Sequence, residues 1–196
     1  MNLRTFSYFK AALFVLCLLP LARAVWIVAS GGAVNPIEFV TRSTGTWTLS
    51  FLLITLAMTP LRRLTGRPEP LRLRRMLGLY AFFYACLHFT TYIWLDQFFD
   101  LAAIVRDIAK RPFVTVGFAA FVLLIPLAAT STDRMMRRLK RNWGRLHRLV
   151  YPIAILGVLH YWWLVKKDLT QPALFAAALA VLLGMRLWWR RRRRSA

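Results

Sequence analysis

The chain has 196 residues, of which 59% are hydrophobic and only 18% are charged, and its mean hydropathy is +0.51. Soluble domains carry about 25% charged residues, so this composition argues against a soluble protein and predicts an integral membrane protein. The formal net charge of +21 would suit a nucleic-acid-binding protein. The basic residues, however, stand in blocks between long apolar runs. That distribution sets membrane topology and makes lipid, not nucleic acid, the expected partner.

Six apolar runs are candidates for membrane-spanning helices, since about 20 apolar residues cross a hydrocarbon core of about 30 Å. The first run begins like a secretory signal peptide but continues as VWIVAS, which favours a retained helix. The second run is short and extends back through Thr44 and Thr41. The sequence therefore predicts one all-α domain over residues 1–196, a bundle of six transmembrane helices at about 9–29, 45–60, 77–95, 113–130, 149–165 and 172–189.

The distribution of lysine and arginine predicts the direction of these helices. Of the 28 basic residues, twenty fall on the side that holds both termini and six fall on the other side, while Arg23 and Arg186 lie within spans. Basic residues are enriched in cytoplasmic loops. Both termini are therefore expected in the cytoplasm.

Two of the three histidines reach a similar depth on different helices. The third and the fifth predicted helix both enter from the cytoplasmic side, and at about 1.5 Å per residue His88 and His160 come to one level in the outer half of the membrane. Two neutral imidazoles that face each other can ligate a b-type haem from both sides of the iron. The alternative for each histidine is a hydrogen-bonded polar residue inside the bundle. The pair predicts a haem that transfers electrons.

The third histidine, His147, precedes His160 by thirteen residues, which is about 20 Å along a helix. It is therefore too far away to ligate the same iron. A straight helix would also point the two side chains about 140° apart, although Pro152 between them allows a kink. His147 is a candidate ligand for a second, inner cofactor.

Small residues precede the histidines on the same helices. Gly78, Ala81 and Ala85 form a helical stripe that ends on the third-helix histidine, and Gly157 stands three residues before His160. Small residues let helices approach closely. They would equally make room for a flat macrocycle.

Several arginines could hold the acidic groups of a cofactor, because guanidinium binds carboxylate and phosphate through paired hydrogen bonds. Arg23, inside the first predicted span, is a candidate for an outer haem propionate, and snorkelling to the interface is its alternative. On the cytoplasmic side the alternative is a topology signal that contacts lipid phosphates. The candidates there for haem propionates or a flavin phosphate are Arg72, Arg74, Arg75, Arg145 and Arg148.

The sequence lacks the motifs of soluble redox domains. No GxGxxG, P-loop, G-x-S-x-G or HExxH motif occurs, and we predict no catalytic residue. Cys17 and Cys86 stand far apart in apolar runs, without zinc-site spacing. A chain of this kind that carries electrons takes them from a membrane quinol, a separate flavin reductase or another partner.

Three segments carry a family resemblance, namely RRMLGLYAFFYACLHFTTYIWLD, LAATSTDRMMRRLKRNWGRLHRLVYP and LHYWWLVKKD. They resemble the MsrQ (YedZ) family of haem-binding membrane subunits, within the ferric-reductase-like transmembrane group. The resemblance implies a multi-pass protein of the bacterial inner membrane that binds b haem and also flavin mononucleotide (FMN). It implies electrons taken from the quinone pool or a cytoplasmic flavin reductase and passed to MsrP, a periplasmic molybdopterin enzyme. The reduction of methionine sulfoxide in oxidised proteins would lie in that partner.

The resemblance also assigns haem-iron ligands, to His88, His147 and His160. The wider group often has two histidine pairs, but Arg74 and Arg75 stand where the inner partner of His147 would be. At least one haem is expected, and a second is left open. Two alternative functions are a stand-alone ferric or oxygen reductase core, and a cofactor-free transporter or assembly factor. A transporter should show discontinuous helices or repeat symmetry, and the sequence shows no clear internal repeat.

Overall fold

The computed structural model describes residues 2–165 and 167–192, and within these ranges the chain is helical without any β-strand. Three basic residues that contribute to the predicted charge asymmetry lie outside the described residues, namely Lys166, Arg193 and Arg194. The predicted all-α membrane class is confirmed. The α-helices of the described ranges are α1 (Leu3–Leu16), α2 (Leu19–Ala29), α3 (Pro36–Thr65), α4 (Glu69–Thr91), α5 (Leu101–Lys110), α6 (Pro112–Ala129), α7 (Asp133–Leu139), α8 (Arg141–Leu146), α9 (Val150–Leu164) and α10 (Thr170–Arg192).

All six predicted spans coincide with helices, with changed boundaries. The fifth predicted span coincides with α9, which has 15 residues and is preceded by a 3-10 turn over His147–Leu149. α3 is far longer than the predicted second span, and α5, α7 and α8 are short helices that the search for spans did not predict. In the described part of the chain, five segments are long and apolar enough to cross a membrane: Arg4–Ala29, Pro36–Thr65, Glu69–Asp96, Pro112–Ala129 and Thr170–Arg192.

The first predicted span is divided into α1 and α2 by a turn at Cys17 and Leu18. Pro20 follows this turn near the start of α2. Because proline has no amide hydrogen, it cannot bond the carbonyl one turn back, that of Leu16. In a membrane each freed backbone group needs a partner from the protein.

Two buried tyrosines of α4 supply partners at this break. The Tyr84 hydroxyl, in a side chain only 1% exposed, donates to the Cys17 carbonyl at 2.8 Å and accepts from the Leu21 amide at 3.2 Å. The Tyr80 hydroxyl donates to the Phe14 carbonyl at 2.7 Å. α4 therefore fixes the broken N-terminal helix to the bundle.

α3 and α4 form a helical hairpin that contains much of the core. The Asn35 side chain caps α3 by accepting from the Glu38 amide at 3.2 Å, and Pro36 occupies the first turn. The helix ends at Gly66, whose φ of +69° is the left-handed conformation that glycine adopts without strain. The buried side chains of this hairpin include Leu49, Phe51, Leu52, Leu56, Leu73, Leu77, Tyr80, Ala81 and Tyr84.

On the predicted outer side, α4 continues through a π-helical turn over Tyr92–Asp96 toward α5. The Tyr92 hydroxyl donates to the Asp107 carboxylate at 3.0 Å and so ties this turn to α5. Asp107 also pairs with Arg111 at 2.9 Å. These contacts fix the connection between α4 and α6, the two helices that hold components of the site described below.

Pro60, at the predicted end of the second span, lies inside α3. Its missing amide hydrogen frees the carbonyl of Leu56 one turn earlier. The guanidinium of Arg186, on α10, donates to this Leu56 carbonyl and also to the Leu182 carbonyl at 2.8 Å. The intramembrane arginine therefore satisfies a backbone group that the proline leaves open.

This pairing predicts a coupling between Arg186 and Pro60. Arg186→Met should lower the free energy of unfolding in detergent by about 1–3 kcal/mol, since a bond to a charged donor is lost. In a Pro60→Ala background the loss should be smaller, because the alanine amide can bond the Leu56 carbonyl. Arg190→Met, at an exposed position of the same helix, is the control. Equal losses in the two backgrounds would contradict the coupling.

A second prediction concerns the tyrosines at the α1–α2 break. Tyr84→Phe should destabilise the protein by about 1–3 kcal/mol, because the Cys17 carbonyl and the Leu21 amide lose their buried partner. Tyr80→Phe should cost less, since one bond is lost. The measurement is thermal or denaturant unfolding in detergent, with Tyr8→Phe as control because Tyr8 is 77% exposed. Wild-type stability of Tyr84→Phe would show that the break does not depend on this hydroxyl.

Candidate functional site

α4 and α9 bring His88 and His160 together. The centroids of the two imidazole rings lie 6.1 Å apart, and the ring planes make an angle of 73°. Both side chains are partly buried. The similar depth that the sequence predicts for these two residues is therefore accompanied by direct proximity in the fold.

Each imidazole is anchored to a backbone carbonyl of another helix. His88 Nδ1 lies 2.9 Å from the Thr41 carbonyl oxygen on α3, and His160 Nδ1 lies 2.7 Å from the Phe113 carbonyl oxygen on α6. A carbonyl can only accept, so Nδ1 carries the proton in a neutral ring. Nε2 then keeps its lone pair. This is the arrangement of metal-ligating histidines, whose second nitrogen donates to a carbonyl or carboxylate.

A glycine lies against each ring. A Cβ added to Gly45 would stand 3.0 Å from Cε1 and 3.1 Å from Nδ1 of His88. A Cβ added to Gly117 would stand 2.6 Å from Nδ1 and 2.8 Å from Cε1 of His160. Neither glycine was predicted from the sequence, because Gly45 on α3 and Gly117 on α6 lie more than 40 residues before the histidines that they approach.

The two halves of the site repeat one pattern. In both, the carbonyl acceptor stands 47 residues before its histidine, and the glycine stands four residues after the acceptor. The α3–α4 and α6–α9 helix pairs therefore share an internal correspondence that the sequence did not reveal. At the same offset along the chain, Arg75 is the counterpart of His147. The inner position of the pattern thus holds only one histidine.

Of the two roles considered for the small residues, the contacts of the two glycines favour close helix packing. A Cβ at Gly78 would meet the Thr55 side chain at 3.6 Å, and a Cβ at Gly157 would meet Leu49 at 3.3 Å. Ala81 and Ala85 are buried in the core. For the two glycines, these contacts with residues of α3 are helix–helix contacts, not contacts with an imidazole ring.

His147 lies in the 3-10 turn just before α9, away from the pair, and has its own set of contacts. Its ring stacks on Trp143 with centroids 4.0 Å apart, and its Nε2 lies 3.1 Å from the Thr130 hydroxyl. Trp143 also donates to the Thr130 carbonyl at 3.0 Å. Burial and the positive charge of Arg74 hold the pKa of His147 below its usual value of 6.5. The imidazole is therefore neutral at pH 7.

The candidate arginines occupy different environments. Arg74 is half-buried and close to His147, whereas Arg75 pairs with Asp133 at 2.5 Å. Arg72 lies over the Phe6 ring, with 5.4 Å between the guanidinium carbon and the ring centroid. The remaining cytoplasmic candidates, Arg145 and Arg148, are exposed.

Arg23 is exposed and lines an open apolar groove of about 800 Å³ between α1–α2 and α3. The groove also contacts Trp26, Trp47 and Phe51. Cys17 lies in its wall as a free thiol, and Cys86 is free as well. A groove of this size and character suits an apolar ligand with one polar end.

The histidine pair fits a haem better than a bare metal ion. A metal ion held by protein alone needs three or four ligands, and residues 2–165 and 167–192 contain no group of three or more His, Cys, Asp or Glu side chains that could hold one. A porphyrin supplies four nitrogens and needs only two axial ligands. Two Nδ1-anchored imidazoles whose ring centroids lie 6.1 Å apart would supply that donor set through their Nε2 atoms.

Comparison with known proteins agrees with this architecture. A family model described as "Ferric reductase like transmembrane component" matches residues 44–158. Proteins named "Protein-methionine-sulfoxide reductase heme-binding subunit MsrQ" match almost the whole chain. The relative from Herminiimonas arsenicoxydans is 57% identical over 190 residues, 95% of this chain and 87% of the relative. The relative from Bordetella pertussis is 55% identical over 194 residues, 96% of this chain and 94% of the relative.

A third relative of the same name, from Ralstonia nicotianae, is 58% identical over 185 residues, 92% of this chain and 85% of the relative. No solved structure matches the chain at a significant level. The chain belongs to the ferric-reductase-like transmembrane family and, within it, to the MsrQ family of these relatives.

The geometry predicts the tautomer of both histidines. In haem-free protein, His88 and His160 should carry the imidazole proton on Nδ1, because the Thr41 and Phe113 carbonyls only accept. The measurement is the ¹⁵N chemical shift of both ring nitrogens in histidine-labelled protein, with His88→Ala and His160→Ala for assignment. A deprotonated Nδ1 in either residue would contradict the anchoring bonds.

Proposed function

We propose that this chain is a b-haem transmembrane electron-transfer subunit of a methionine-sulfoxide reductase system. Its donor is the quinone pool or a cytoplasmic flavin reductase, and its acceptor is the periplasmic molybdopterin enzyme MsrP, where the sulfoxide chemistry takes place. The observation that carries the proposal is the pair of imidazoles with centroids 6.1 Å apart, each anchored through Nδ1. The relatives' name, which calls them haem-binding subunits of such reductases, supports it.

His88 and His160 are the proposed axial ligands. When bound, a b-type haem supplies one-electron transfer at its iron. The two imidazoles would close both axial positions, so oxygen or an iron chelate could be reduced only without direct coordination. This favours an electron-transfer subunit over the alternative of a stand-alone ferric or oxygen reductase.

The position of the pair supports an acceptor on the outer side. His160 stands four residues before the end of α9, a distance of about 6 Å along the helix. With both termini proposed to be cytoplasmic, this end of α9 faces the periplasm of a bacterial inner-membrane protein. The charge asymmetry of the loops supports that orientation.

A second redox group is proposed near the inner end of α9. His147 precedes His160 by thirteen residues, about 20 Å along a helix, and one haem at the outer pair would not span that distance. His147 is neutral and close to the half-buried Arg74, so this region offers an imidazole and a cation to FMN or to a second haem. Ligation through Nε2 would require His147 to give up its contact with Thr130.

The other arginines are weaker candidates for cofactor binding. Arg145 and Arg148 are exposed and free to reach a propionate or phosphate on the cytoplasmic side. Arg75 would first have to leave Asp133. Arg23 is placed to meet the polar end of a quinone in the groove of about 800 Å³, or a haem propionate.

The structure offers little to the alternative of a cofactor-free transporter. Discontinuous helices serve transporters by offering freed backbone groups to the substrate. Here the first span is discontinuous at the α1–α2 break, but the Cys17 carbonyl and the Leu21 amide are hydrogen-bonded to the Tyr84 hydroxyl and are not open to a substrate. The internal correspondence of the helix pairs has His88 and His160 at its centre, which favours a redox role.

The test of haem binding is an absorption spectrum of the purified protein. We expect a Soret band that shifts on reduction, and we expect His88→Ala and His160→Ala each to abolish the bis-histidine spectrum. His147→Ala should retain this haem and is the matched control. Retention of the bis-histidine signal in both outer variants would show that the ligand assignment is wrong. A halved haem content in His147→Ala would place a second haem at the inner site.

The test of electron transfer uses proteoliposomes that contain the haem-loaded chain. Added quinol, or NADPH with a flavin reductase, should reduce the haem, and the periplasmic reductase with methionine sulfoxide should reoxidise it. Flavin and haem quantitation per chain accompanies the measurement. A haem that no such acceptor reoxidises would contradict the proposed partner.

A further inference from the structure

The glycines that contact the histidines differ in kind from the other helical glycines. Gly78 and Gly157 face threonine and leucine side chains, and Gly184 has open space where a Cβ would be. Only Gly45 and Gly117, among the glycines described, have an imidazole ring within 4 Å of the position that a Cβ would take. A Cβ added at either glycine would stand 3.0 Å or less from the nearest ring atom. A contact this close leaves no room for a side chain.

Each glycine acts with the carbonyl one helical turn before it. Residues four apart lie on the same face of a helix, so the carbonyl and the glycine meet the same ring. The carbonyl fixes Nδ1 by a hydrogen bond, and the absence of a Cβ on the glycine lets the ring lie close to the helix backbone. We call each set a carbonyl–glycine clamp: Thr41 with Gly45 for His88, and Phe113 with Gly117 for His160.

The two clamps stand on different helices, α3 and α6, and they hold rings whose planes are 73° apart. A hydrogen bond alone would leave each ring free to turn about its Nδ1–H direction. Contact with the glycine removes that freedom. The relative orientation of the two rings is therefore set by the clamps.

We propose that Gly45 and Gly117 are positioning residues that hold the two axial imidazole planes close to perpendicular. The proposal rests on the proposed function, since it assumes one haem between His88 and His160. Neither glycine touches the iron. Each acts through the histidine that it contacts.

The proposal has a spectroscopic consequence. Axial imidazoles with nearly perpendicular planes give a strongly anisotropic low-spin ferric EPR signal, whereas parallel planes give a less anisotropic one. The wild-type protein should show the strongly anisotropic form. A Cβ that turns one ring should shift the largest g value and the midpoint potential of the haem.

The experiment compares alanine variants of four glycines. Gly117→Ala should shift the g values most and weaken haem affinity about 10-fold or more, in the range seen when groups that orient a ligand are lost. A Cβ at Gly45 would stand 3.0 Å from the nearest ring atom, against 2.6 Å at Gly117. Gly45→Ala should therefore shift the g values less, in the same direction of decreasing anisotropy. Gly157→Ala is the packing control, because its Cβ meets only Leu49 at 3.3 Å. Gly184→Ala is the control for the substitution itself.

The measurements are the EPR spectrum, the midpoint potential, and haem titration into the apo proteins with their thermal unfolding recorded. A folded apo Gly117→Ala that binds haem poorly supports the clamp. If that variant does not fold, Gly45→Ala decides, since its contacts require only a small ring shift. Wild-type g values and haem affinity in Gly45→Ala and in any folded Gly117→Ala, or equal shifts in Gly157→Ala, would overturn the inference. A wild-type protein without a Soret band would instead overturn the proposed function, and the inference with it.

Discussion

The hydrogen bonds from His88 and His160 to backbone carbonyls are the interactions on which the site depends. Nδ1 lies 2.9 Å from the acceptor in His88 and 2.7 Å in His160. Each bond fixes the proton on Nδ1 and leaves Nε2 with its lone pair. Because the acceptors lie on α3 and α6, the site requires four helices to be in register. The long α3–α4 hairpin and its counterpart, the α6–α9 pair, provide that register.

The same requirement for backbone partners shapes the rest of the bundle. In lipid a freed carbonyl or amide has no water to bond, and prolines create several such groups. Tyr84 bonds two of the groups at the α1–α2 break, and Arg186 bonds the Leu56 carbonyl that Pro60 leaves open. α4 thus holds one histidine and also anchors the N-terminal helices. The two tyrosines of α4 bond backbone groups of α1 and of the α1–α2 turn, whereas its histidine bonds the Thr41 carbonyl of α3.

Several features could be predicted because they depend on composition and on distance along a helix. Length and hydropathy predicted helices at all six places, and 1.5 Å per residue predicted a similar depth for His88 and His160. The break after Leu16 was harder to predict, because Pro20 is often tolerated in membrane helices. The helix α5 was missed because a search for spans ignores ten-residue amphipathic segments.

The sequence by itself determined the membrane class, the positions of six apolar helical runs, and the separation of His147 from the histidine pair. These follow from apolar length, charge distribution and helical rise, which are local properties. Only the tertiary structure decided which carbonyls anchor the imidazoles and that Gly45 and Gly117 lie next to the imidazole rings. It also decided that the His147 ring contacts Trp143 and Thr130. Those contacts join residues on different helices, and helix packing, which no local pattern encodes, brings them together.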